Sequence, residues 1–304
     1  MAWISHHGWK PPSAPLLATI GSNPRVFRRV ERKITISDSS STMSTFFFIL
    51  YSCSVTFYRL MLAANRDEYY DRPTEPLGFW DDNPYILGGR DLRSKGSWLG
   101  VTLSGRLAAV TNFRERGSLK KNAPSRGLLV SAFLVGRKSP QDYLELVRSI
   151  GHKYNGFNLL VGDHSGLFYY SNKGNNIYRI KYGLYGLSNH LLNTPWPKVE
   201  KGKDELRNLF AKEKVSFEEL LDTIGNQEYP PDDQLPDTGV GHEWEKLLSP
   251  LFVTSESYGT RSSSIVLFEK KKRITFLERN FIRDDKGEIR DYDTRKFSFS
   301  VISS

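Results

Sequence analysis

The chain has 304 residues, of which 38% are hydrophobic, 13% aromatic and 25% charged, so it can bury a core as one large domain or two small ones. Its net charge is +9, but no segment interleaves basic and aromatic residues in the manner of a nucleic-acid-binding module. A single cysteine, Cys53, excludes an internal disulfide. No histidine pair has the i, i+4 spacing that is typical of a zinc site. No apolar run reaches the ~20 residues of a transmembrane helix.

Residues 1–42 differ in composition from the rest of the chain. They are rich in Ser, Pro and Arg, poor in acidic residues, and lack the apolar region of a secretory signal. This composition resembles a mitochondrial transit peptide, and the alternative is a disordered basic extension or an alternative upstream exon, with Met43 as a second start. We expect a disordered extension over 1–42 and a single domain over 43–304.

From Met43 the pattern predicts strands first, at 45–51, 58–64, 86–88, 98–103 and 106–111. Two helices follow, one capped by Ser125 and one opened by Ser139 and Pro140, and then strands at 157–162 and 167–171.

Thr194 and Pro195 have the sequence of a helix start, and Ser216 with Glu219 forms a predicted capping box for a helix that stops at Gly225. Segment 229–243 is predicted to be a loop, and strands at 262–268, 274–278 and 297–301 close the chain. Strands at both ends with helices between them favour an α+β fold.

Segment 60–73 changes within one residue from an apolar run to Asn65-Arg66-Asp67-Glu68. A buried strand that ends in a cluster of charges fixes where those charges point, which is a common way to build a site. The alternative is a strand that leaves the core and meets water.

The quartet Asn65-Arg66-Asp67-Glu68, with Arg72-Pro73 behind it, resembles the signature of the NRDE-domain family, whose animal members are the transport and Golgi organisation protein 2 homologues. The resemblance runs from about Met43 to the C-terminus. Further matching segments occur in the same order: Gly-Ser-Trp-Leu-Gly at 96–100, Ala-Ala-Val-Thr-Asn at 108–112, Tyr-Asn-Gly-Phe-Asn-Leu at 154–159, Tyr-Gly-Leu-Ser-Asn at 185–189, Thr-Pro-Trp at 194–196 and Tyr-Gly-Thr-Arg at 258–261.

The resemblance implies the fold of an N-terminal-nucleophile hydrolase, a four-layer αββα architecture with two stacked antiparallel sheets between helical layers. In such enzymes the side chain of the first residue attacks an amide, and its free α-amine is the general base. The family typically has Cys after the initiating Met, and here that position is Ser44. Ser44 follows 43 residues, so catalysis would require initiation or cleavage at Met43. Cys53 is interpreted as a small buried hydrophobic residue.

The resemblance also implies roles for other positions. Asp67 would orient the α-amine, Arg66 would counter local negative charge, and Arg261 would complete the charge balance. Asn112 and Asn189 would lie at strand ends as oxyanion donors. The structural alternatives are an Asn that caps a turn and an Arg–Asp pair that is only a salt bridge.

Three functions follow from these observations. The one we expect is a non-catalytic trafficking protein linked to Golgi organisation, secretion and movement of haem, in the cytoplasm with the mitochondrion or Golgi as further locations. It would need no cofactor of its own, and Arg66 or Arg261 would face the carboxylates of the carried haem. Candidate axial ligands are His152, His190 and Met61.

The second function is an amidohydrolase that cleaves a small-molecule amide at Ser44 without a metal. The third is an adaptor that contacts a membrane surface through the basic extension, although that extension lacks a sustained amphipathic helix. Neither a nucleic acid nor a transmembrane segment is expected.

Overall fold

The computed structural model describes residues 44–51 (main chain), 57–115, 119–212 and 215–302, which belong to one compact unit. The predictions for residues 1–42 and for Cys53 lie outside the described residues. The elements follow in the order β1 (Ser44–Tyr51), β2 (Tyr58–Tyr69), β3 (Thr74–Trp80), β4 (Asn83–Asp91), β5 (Leu99–Thr102), β6 (Leu107–Asn112), α1 (Gly127–Val135), α2 (Pro140–Ile150), β7 (Phe157–Asp163) and β8 (Gly166–Ser171). They continue with β9 (Ile177–Arg179), β10 (Gly183–Leu187), α3 (Pro197–Phe210), α4 (Phe217–Ile224), α5 (His242–Leu247), β11 (Tyr258–Glu269), β12 (Arg273–Arg283) and β13 (Ile289–Ser300).

The strands form two antiparallel sheets. The first sheet has the order β10-β1-β2-β11-β12-β13, so β2 lies in its interior with β1 on one side and β11 on the other. The second sheet has the order β3-β4-β5-β6-β7-β8-β9. Ser104 and Gly105 make the predicted turn between β5 and β6, where Gly105 has a φ of +85° and donates its N–H to the Thr102 carbonyl.

The core lies in three layers. Between the sheets, Leu60, Leu62 and Ala64 of β2 pack against the second sheet. Their neighbours Met61 and Ala63 point to the opposite face, under α3 and α4, because side chains alternate along a strand. Helices α1 and α2 cover the outer face of the second sheet in the same way. The expected α+β, four-layer αββα architecture is therefore confirmed.

The prediction that the second strand ends at Ala64 is wrong, because β2 continues through the whole charged quartet to Tyr69. All four side chains of the quartet are buried. Strand β11 supplies hydrogen-bond partners to two of them: Ser263 Oγ donates to Asn65 Oδ1 and Thr260 Oγ1 donates to Asp67 Oδ1, each over 2.6 Å. A charged segment stays in an interior strand when such partners replace water.

Several helix predictions differ from the structure at the ends. Helix α3 begins at Pro197 with Trp196 as N-cap, because the Thr194 hydroxyl is engaged with the Leu191 carbonyl. Helix α1 has Arg126 as its N-cap residue and no side-chain cap, so the predicted cap at Ser125 is wrong. The Ser139 cap of α2, the capping box of α4 and its stop at Gly225 are confirmed.

The remaining differences concern short or partly polar elements. The segment predicted as a loop over 229–243 includes the start of α5, a helix of only 6 residues. Strands β3, β9 and β10 were not predicted, and β13 begins at Ile289 rather than at 297. β13 is an edge strand with mostly exposed side chains, so its first half lacks the hydrophobic alternation that identifies a strand.

Candidate functional site

The quartet on β2 divides between the two faces of the first sheet. Asn65 and Asp67 point toward the helices, and Asn65 Nδ2 donates to the carbonyl oxygens of Ile224 (2.7 Å) and Leu251 (2.9 Å). Arg66 and Glu68 point between the sheets, where the Arg66 guanidinium lies 4.2 Å from the centroid of the Trp98 ring. The quartet therefore supplies two separate charged clusters rather than one.

Asp67 is the centre of the first cluster, and its side chain is 0% exposed. In register, Ser44 lies opposite Asp67 on β1 and Thr260 lies opposite it on β11. Thr260 donates to Oδ1, while Oδ2 has no hydrogen-bond partner among the described residues. Burial raises the pKa of Asp67 to about 6, although Lys198 and the Thr260 hydrogen bond act in the opposite direction.

Two cations and a second carboxylate complete this Asp67 cluster, which we define as Asp67, Thr260, Arg114, Lys198 and Glu245. Lys198 is buried, and its Nζ donates to the Leu248 carbonyl over 2.7 Å. Arg114 Nη1 lies 2.7 Å from Glu245 Oε2. Burial, together with the nearby Arg114, lowers the pKa of Lys198 to about 7, and burial also lowers the pKa of Arg114.

Asn112 and Asn189 meet where β6 ends and two residues beyond the end of β10. Asn112 is the last residue of β6, and its carbonyl accepts a hydrogen bond from Asn189 Nδ2 over 3.1 Å. The Arg114 N–H donates to the Asn189 carbonyl over 2.6 Å, and Arg114 Nη2 lies 3.4 Å from Asn189 Oδ1. Arg114 thus connects the asparagine pair to the Asp67 cluster.

The second cluster, which we name the Arg66 cluster, consists of Arg66, Glu68, Arg72, Trp98 and Arg261. Arg66 is 2% exposed, its Nη2 lies 3.7 Å from Glu68 Oε2, and Arg72 Nε lies 3.6 Å from the same oxygen. Burial lowers the pKa of Arg66 to about 10, with Glu68 opposing this shift and Arg261 adding to it. The Nε and Nη2 atoms of Arg66 have no hydrogen-bond partner among the described residues.

Arg261 is the extra residue of a β-bulge in β11, because Thr260 pairs with Asp67 and Ser262 pairs with Arg66. Its guanidinium donates to the carbonyl oxygens of Tyr69 and Arg72. Burial is the main cause that lowers the pKa of Arg261, and Glu68 opposes it.

The six residues predicted for the site therefore divide into two groups. Asp67 has the Ser44 main chain opposite it, and Arg114 connects it to Asn112 and Asn189. Arg66 and Arg261 belong to the Arg66 cluster, and Arg66 lies on the opposite face of β2 from Asp67. The structure brings the first group together and does not place Arg66 beside Asp67.

The three candidate haem ligands have different surroundings. Met61 is buried in the apolar layer under α3 and α4, and His152 is exposed after α2. The His190 ring centroid lies 4.7 Å from that of Phe113 and 5.8 Å from that of Trp196. Arg114 lies 5.0 Å from the Trp196 ring centroid. We refer to Phe113, His190, Trp196 and Arg114 as the aromatic cluster.

Sequence reasoning missed Arg114, Lys198, Glu245 and Thr260. Two of them stood next to recognised segments, since Arg114 follows Asn112 by two positions and Lys198 follows Trp196 by two. Thr260 lies inside the matched Tyr-Gly-Thr-Arg segment. Glu245 had no signal, because it lies on a short helix in a segment that was predicted to be a loop.

No helix within the described part of the chain combines the length and apolar character needed to cross a membrane.

Comparison with known proteins identifies the family. A sequence model of the family Transport and Golgi organisation 2 matches residues 45–283. The Transport and Golgi organization 2 homolog of Mus musculus is 35% identical over 81% of this chain and 94% of its own length. The Homo sapiens homolog is 36% identical over 81% of this chain and 94% of its own length. The Drosophila melanogaster protein is 30% identical over 73% of this chain and 86% of its own length.

Among solved structures, a Caenorhabditis elegans N-acylethanolamine-hydrolyzing acid amidase ortholog is similar at a TM-score of 0.43 and 8% identity, over 73% of this chain and 92% of its own. The C2A mutant of the conjugated bile acid hydrolase from Clostridium perfringens is similar at a TM-score of 0.41 and 10% identity, over 83% and 92%. The family match spans most of the chain, and the relatives are covered nearly end to end. The chain therefore belongs to the Transport and Golgi organisation 2 family.

Proposed function

We propose that the protein acts in transport and Golgi organisation as a non-catalytic carrier of haem, located in the cytoplasm and serving the Golgi or mitochondria. The names of its relatives support the general role. The choice of haem is supported by one local arrangement, the hydrogen bonding of the His190 ring in the aromatic cluster.

His190 has the tautomer that a haem ligand needs. The Thr194 hydroxyl donates its only hydrogen to the Leu191 carbonyl over 2.8 Å. It must therefore accept from His190 Nδ1, which lies 2.8 Å away, and the lone pair of the ring is left on Nε2. Partial burial lowers the pKa of His190, so the ring is neutral at physiological pH. A neutral imidazole whose second nitrogen is held by a hydrogen bond is a well-oriented metal ligand.

The neighbours of His190 suit a flat dianionic ligand. The rings of Phe113 and Trp196 both lie next to the histidine ring, and Arg114 supplies positive charge beside Trp196. Arg114 is the cation nearest this cluster, because it lies beside the Trp196 ring, whereas Arg66 lies between the sheets against Trp98.

Titration of the full chain with haemin tests this proposal. The Soret band should shift on binding, and His190→Ala should weaken binding by about tenfold or more, because an axial ligand is lost. The exposed His152→Ala is the matched control and should bind as the unmodified chain does. A Soret shift that is the same in His190→Ala would contradict the proposal.

Amide hydrolysis at Ser44 is the second candidate function. The observation that favours it is Asp67 Oδ2, a buried carboxylate oxygen without a hydrogen-bond partner among the described residues, directly across from the Ser44 main chain. A free α-amine at Ser44 would give this oxygen a partner and could accept a proton near neutral pH.

Intact mass spectrometry and an amide substrate screen test this candidate. The natural protein should contain a chain that begins at Ser44, and Ser44→Ala should abolish amide cleavage, because the attacking hydroxyl is removed. Ser149→Ala, on the exposed face of α2, should leave cleavage unchanged. Cleavage that persists in Ser44→Ala would exclude this residue as the nucleophile.

A further inference from the structure

One end of the two-sheet sandwich carries a group of basic side chains that neither candidate function uses. At this end the β11–β12 turn lies beside the start of β2, since the Lys270 N–H donates to the Phe57 carbonyl over 3.2 Å. The link between β9 and β10 reaches the same end, because Tyr51 of β1 pairs with both Leu60 and Gly183. We define the basic end by its six cations, which are Arg59, Lys181, Lys270, Lys271, Lys272 and Arg273.

These cations face solvent rather than carboxylates. All six are exposed, and the side chains of Lys181 and of segment 270–273 form no ion pair with the described residues. Glu269 is the acid that precedes this segment, and Asp163 on the β7–β8 turn lies 4.0 Å from a different cation, Arg106. The acids beside the basic end therefore do not balance its positive charge.

Lys272 keeps its side chain in a backbone conformation that suits glycine better. Its φ is +60°, in the left-handed region where glycine and asparagine are the usual residues. The Lys272 N–H closes the turn on the Glu269 carbonyl over 3.1 Å, and the Lys272 carbonyl accepts from the Val301 N–H over 2.7 Å. A side chain in this region costs free energy relative to glycine, so the third consecutive lysine of the turn is held there at a cost in stability.

Apolar side chains project among these charges. Phe57 is 54% exposed, Tyr182 is 58% exposed and Ile302 is 50% exposed. The main chain of Phe57 is bonded to Lys270, and Ile302 directly follows Val301, which is bonded to Lys272. Exposed aromatic and aliphatic side chains beside lysines are typical of a surface that lies at the boundary between water and lipid.

We propose that the basic end docks on an anionic lipid bilayer, with its lysines at the charged headgroups and Phe57 in the acyl boundary. Charge complementarity supports this partner, because clustered basic residues are attracted to the negative surface of an anionic leaflet. Four of the six cations are lysines, which suit the diffuse charge of a bilayer, whereas nucleic-acid recognition favours the planar guanidinium of arginine. The inference depends neither on haem binding nor on amide hydrolysis.

Docking in this way leaves the candidate site on the side away from the lipid. β1 pairs Ser44 with Asp67 at one end and Tyr51 with Leu60 at the other, so the Asp67 cluster and the basic end lie at opposite ends of the same strands. Arg114 joins the Asp67 cluster to the aromatic cluster. A protein bound through its basic end therefore presents both clusters to the aqueous side.

Co-sedimentation of the full chain with vesicles tests the proposal. Vesicles of phosphatidylcholine with about 30 mol% phosphatidylserine should bind the protein at least about tenfold more tightly than phosphatidylcholine alone. The hairpin variant, Lys270→Gln with Lys271→Gln, should weaken this binding about 30-fold, because each basic residue at the surface contributes separately. Added salt should weaken binding of the unmodified chain, since it screens exposed charges.

Lys272→Gly separates the charge from the fold, because it removes one cation and also relieves the left-handed backbone. Binding to the phosphatidylserine vesicles should weaken about fivefold. The midpoint of urea unfolding should stay the same or rise, so lost binding cannot be assigned to lost structure.

Lys95→Gly is the matched control for this variant. Lys95 is also exposed and has a φ of +58°, but it lies on the β4–β5 turn. β5 separates that turn from Leu103, whose carbonyl accepts from the Ile302 N–H at the basic end. Lys95→Gly removes the same charge from the same backbone conformation, and it should bind the vesicles as the unmodified chain does.

Phe57→Ser tests the apolar contribution. We expect about tenfold weaker binding, because the apolar surface of the ring no longer enters the lipid. This loss should persist at high salt, since burial of apolar surface is not screened. Leu146→Ser, at a position 45% exposed on α2, is the control and should leave binding unchanged.

Three outcomes would overturn the proposal. The first is binding to phosphatidylserine vesicles that is unchanged in the hairpin variant and in Lys272→Gly. The second is binding that is lost only when the four arginines of residues 25–32 are neutralised, which would assign the contact to the N-terminal extension. The third is tighter binding to a single-stranded RNA of about 20 nucleotides than to the vesicles, lost in the hairpin variant, which would make nucleic acid the partner.

Discussion

Asp67 is a carboxylate whose ionised form is disfavoured by its surroundings. It is fully buried, it accepts one hydrogen bond from Thr260, and burial raises its pKa to about 6. Lys198 shows the opposite shift, with its pKa lowered to about 7. Groups whose charged forms are disfavoured by folding lower the stability in the pH range where they are ionised.

The pH dependence of stability follows from the sign of the Asp67 shift. The folded state holds the Asp67 proton up to a pH of about 6, whereas the unfolded chain releases it near 3.8, so stability falls as the pH rises between these values. Asp67→Asn cannot ionise, and its amide oxygen can still accept from Thr260. Denaturant unfolding at several pH values measures this difference. From pH 4 to 6 the free energy of unfolding of the variant should rise relative to that of the unmodified chain, by a total on the order of 1 to 3 kcal/mol.

Asp81→Asn removes an exposed carboxylate and is the control, for which the difference from the unmodified chain should stay small across this range. A stability difference for Asp67→Asn that shrinks from pH 4 to 6 would contradict the assigned direction of the shift.

At the scale of elements, Asn65 connects β2 to the helical layer. It donates to the carbonyl of Ile224, the last residue of α4, and to the carbonyl of Leu251, and it accepts from Ser263 on β11. The first residue of the motif is therefore fully used in holding a helix end and a loop against the sheet. This arrangement supports a structural role for Asn65, separate from the chemistry of Asp67.

Asn65→Ala should destabilise the fold. It leaves two buried carbonyl groups and one buried hydroxyl without their partner, and we expect a loss of roughly 2 to 4 kcal/mol in the free energy of unfolding. Urea denaturation measures this loss. The exposed Asn176→Ala should change stability by less than about 0.5 kcal/mol, and an equally small effect of Asn65→Ala would show that other groups or water replace its hydrogen bonds.

At the scale of the whole molecule, the sequence predicted the layers better than the site. The apolar run of β2 and the alternation at the end of β13 identified strands near both ends of the domain, and the family resemblance supplied the four-layer arrangement that the sheets and helices then confirmed. Short edge strands such as β9, with 3 residues, carry too few alternations to be recognised.

The site was harder to predict because its members come from distant parts of the chain. Asp67, Arg114, Lys198 and Glu245 lie on four different segments, and only folding brings their charges together. The separation of Arg66 from Asp67 was accessible from the sequence, since adjacent residues of a strand face opposite sides. It was missed because the quartet was interpreted as the end of β2 rather than as part of it.

The extra residue Arg261 in β11 determines which face of the sheet the side chains before it in that strand point to. Thr260 and Ser263 are three positions apart, so in a regular strand their hydroxyls would face opposite sides. The bulge inverts this parity, and both hydroxyls reach the same face to bind Asp67 and Asn65, which are two positions apart on β2. The number of residues between Thr260 and Ser263 is thus as strict a requirement as their identity, because removing one would turn the Thr260 hydroxyl away from its carboxylate.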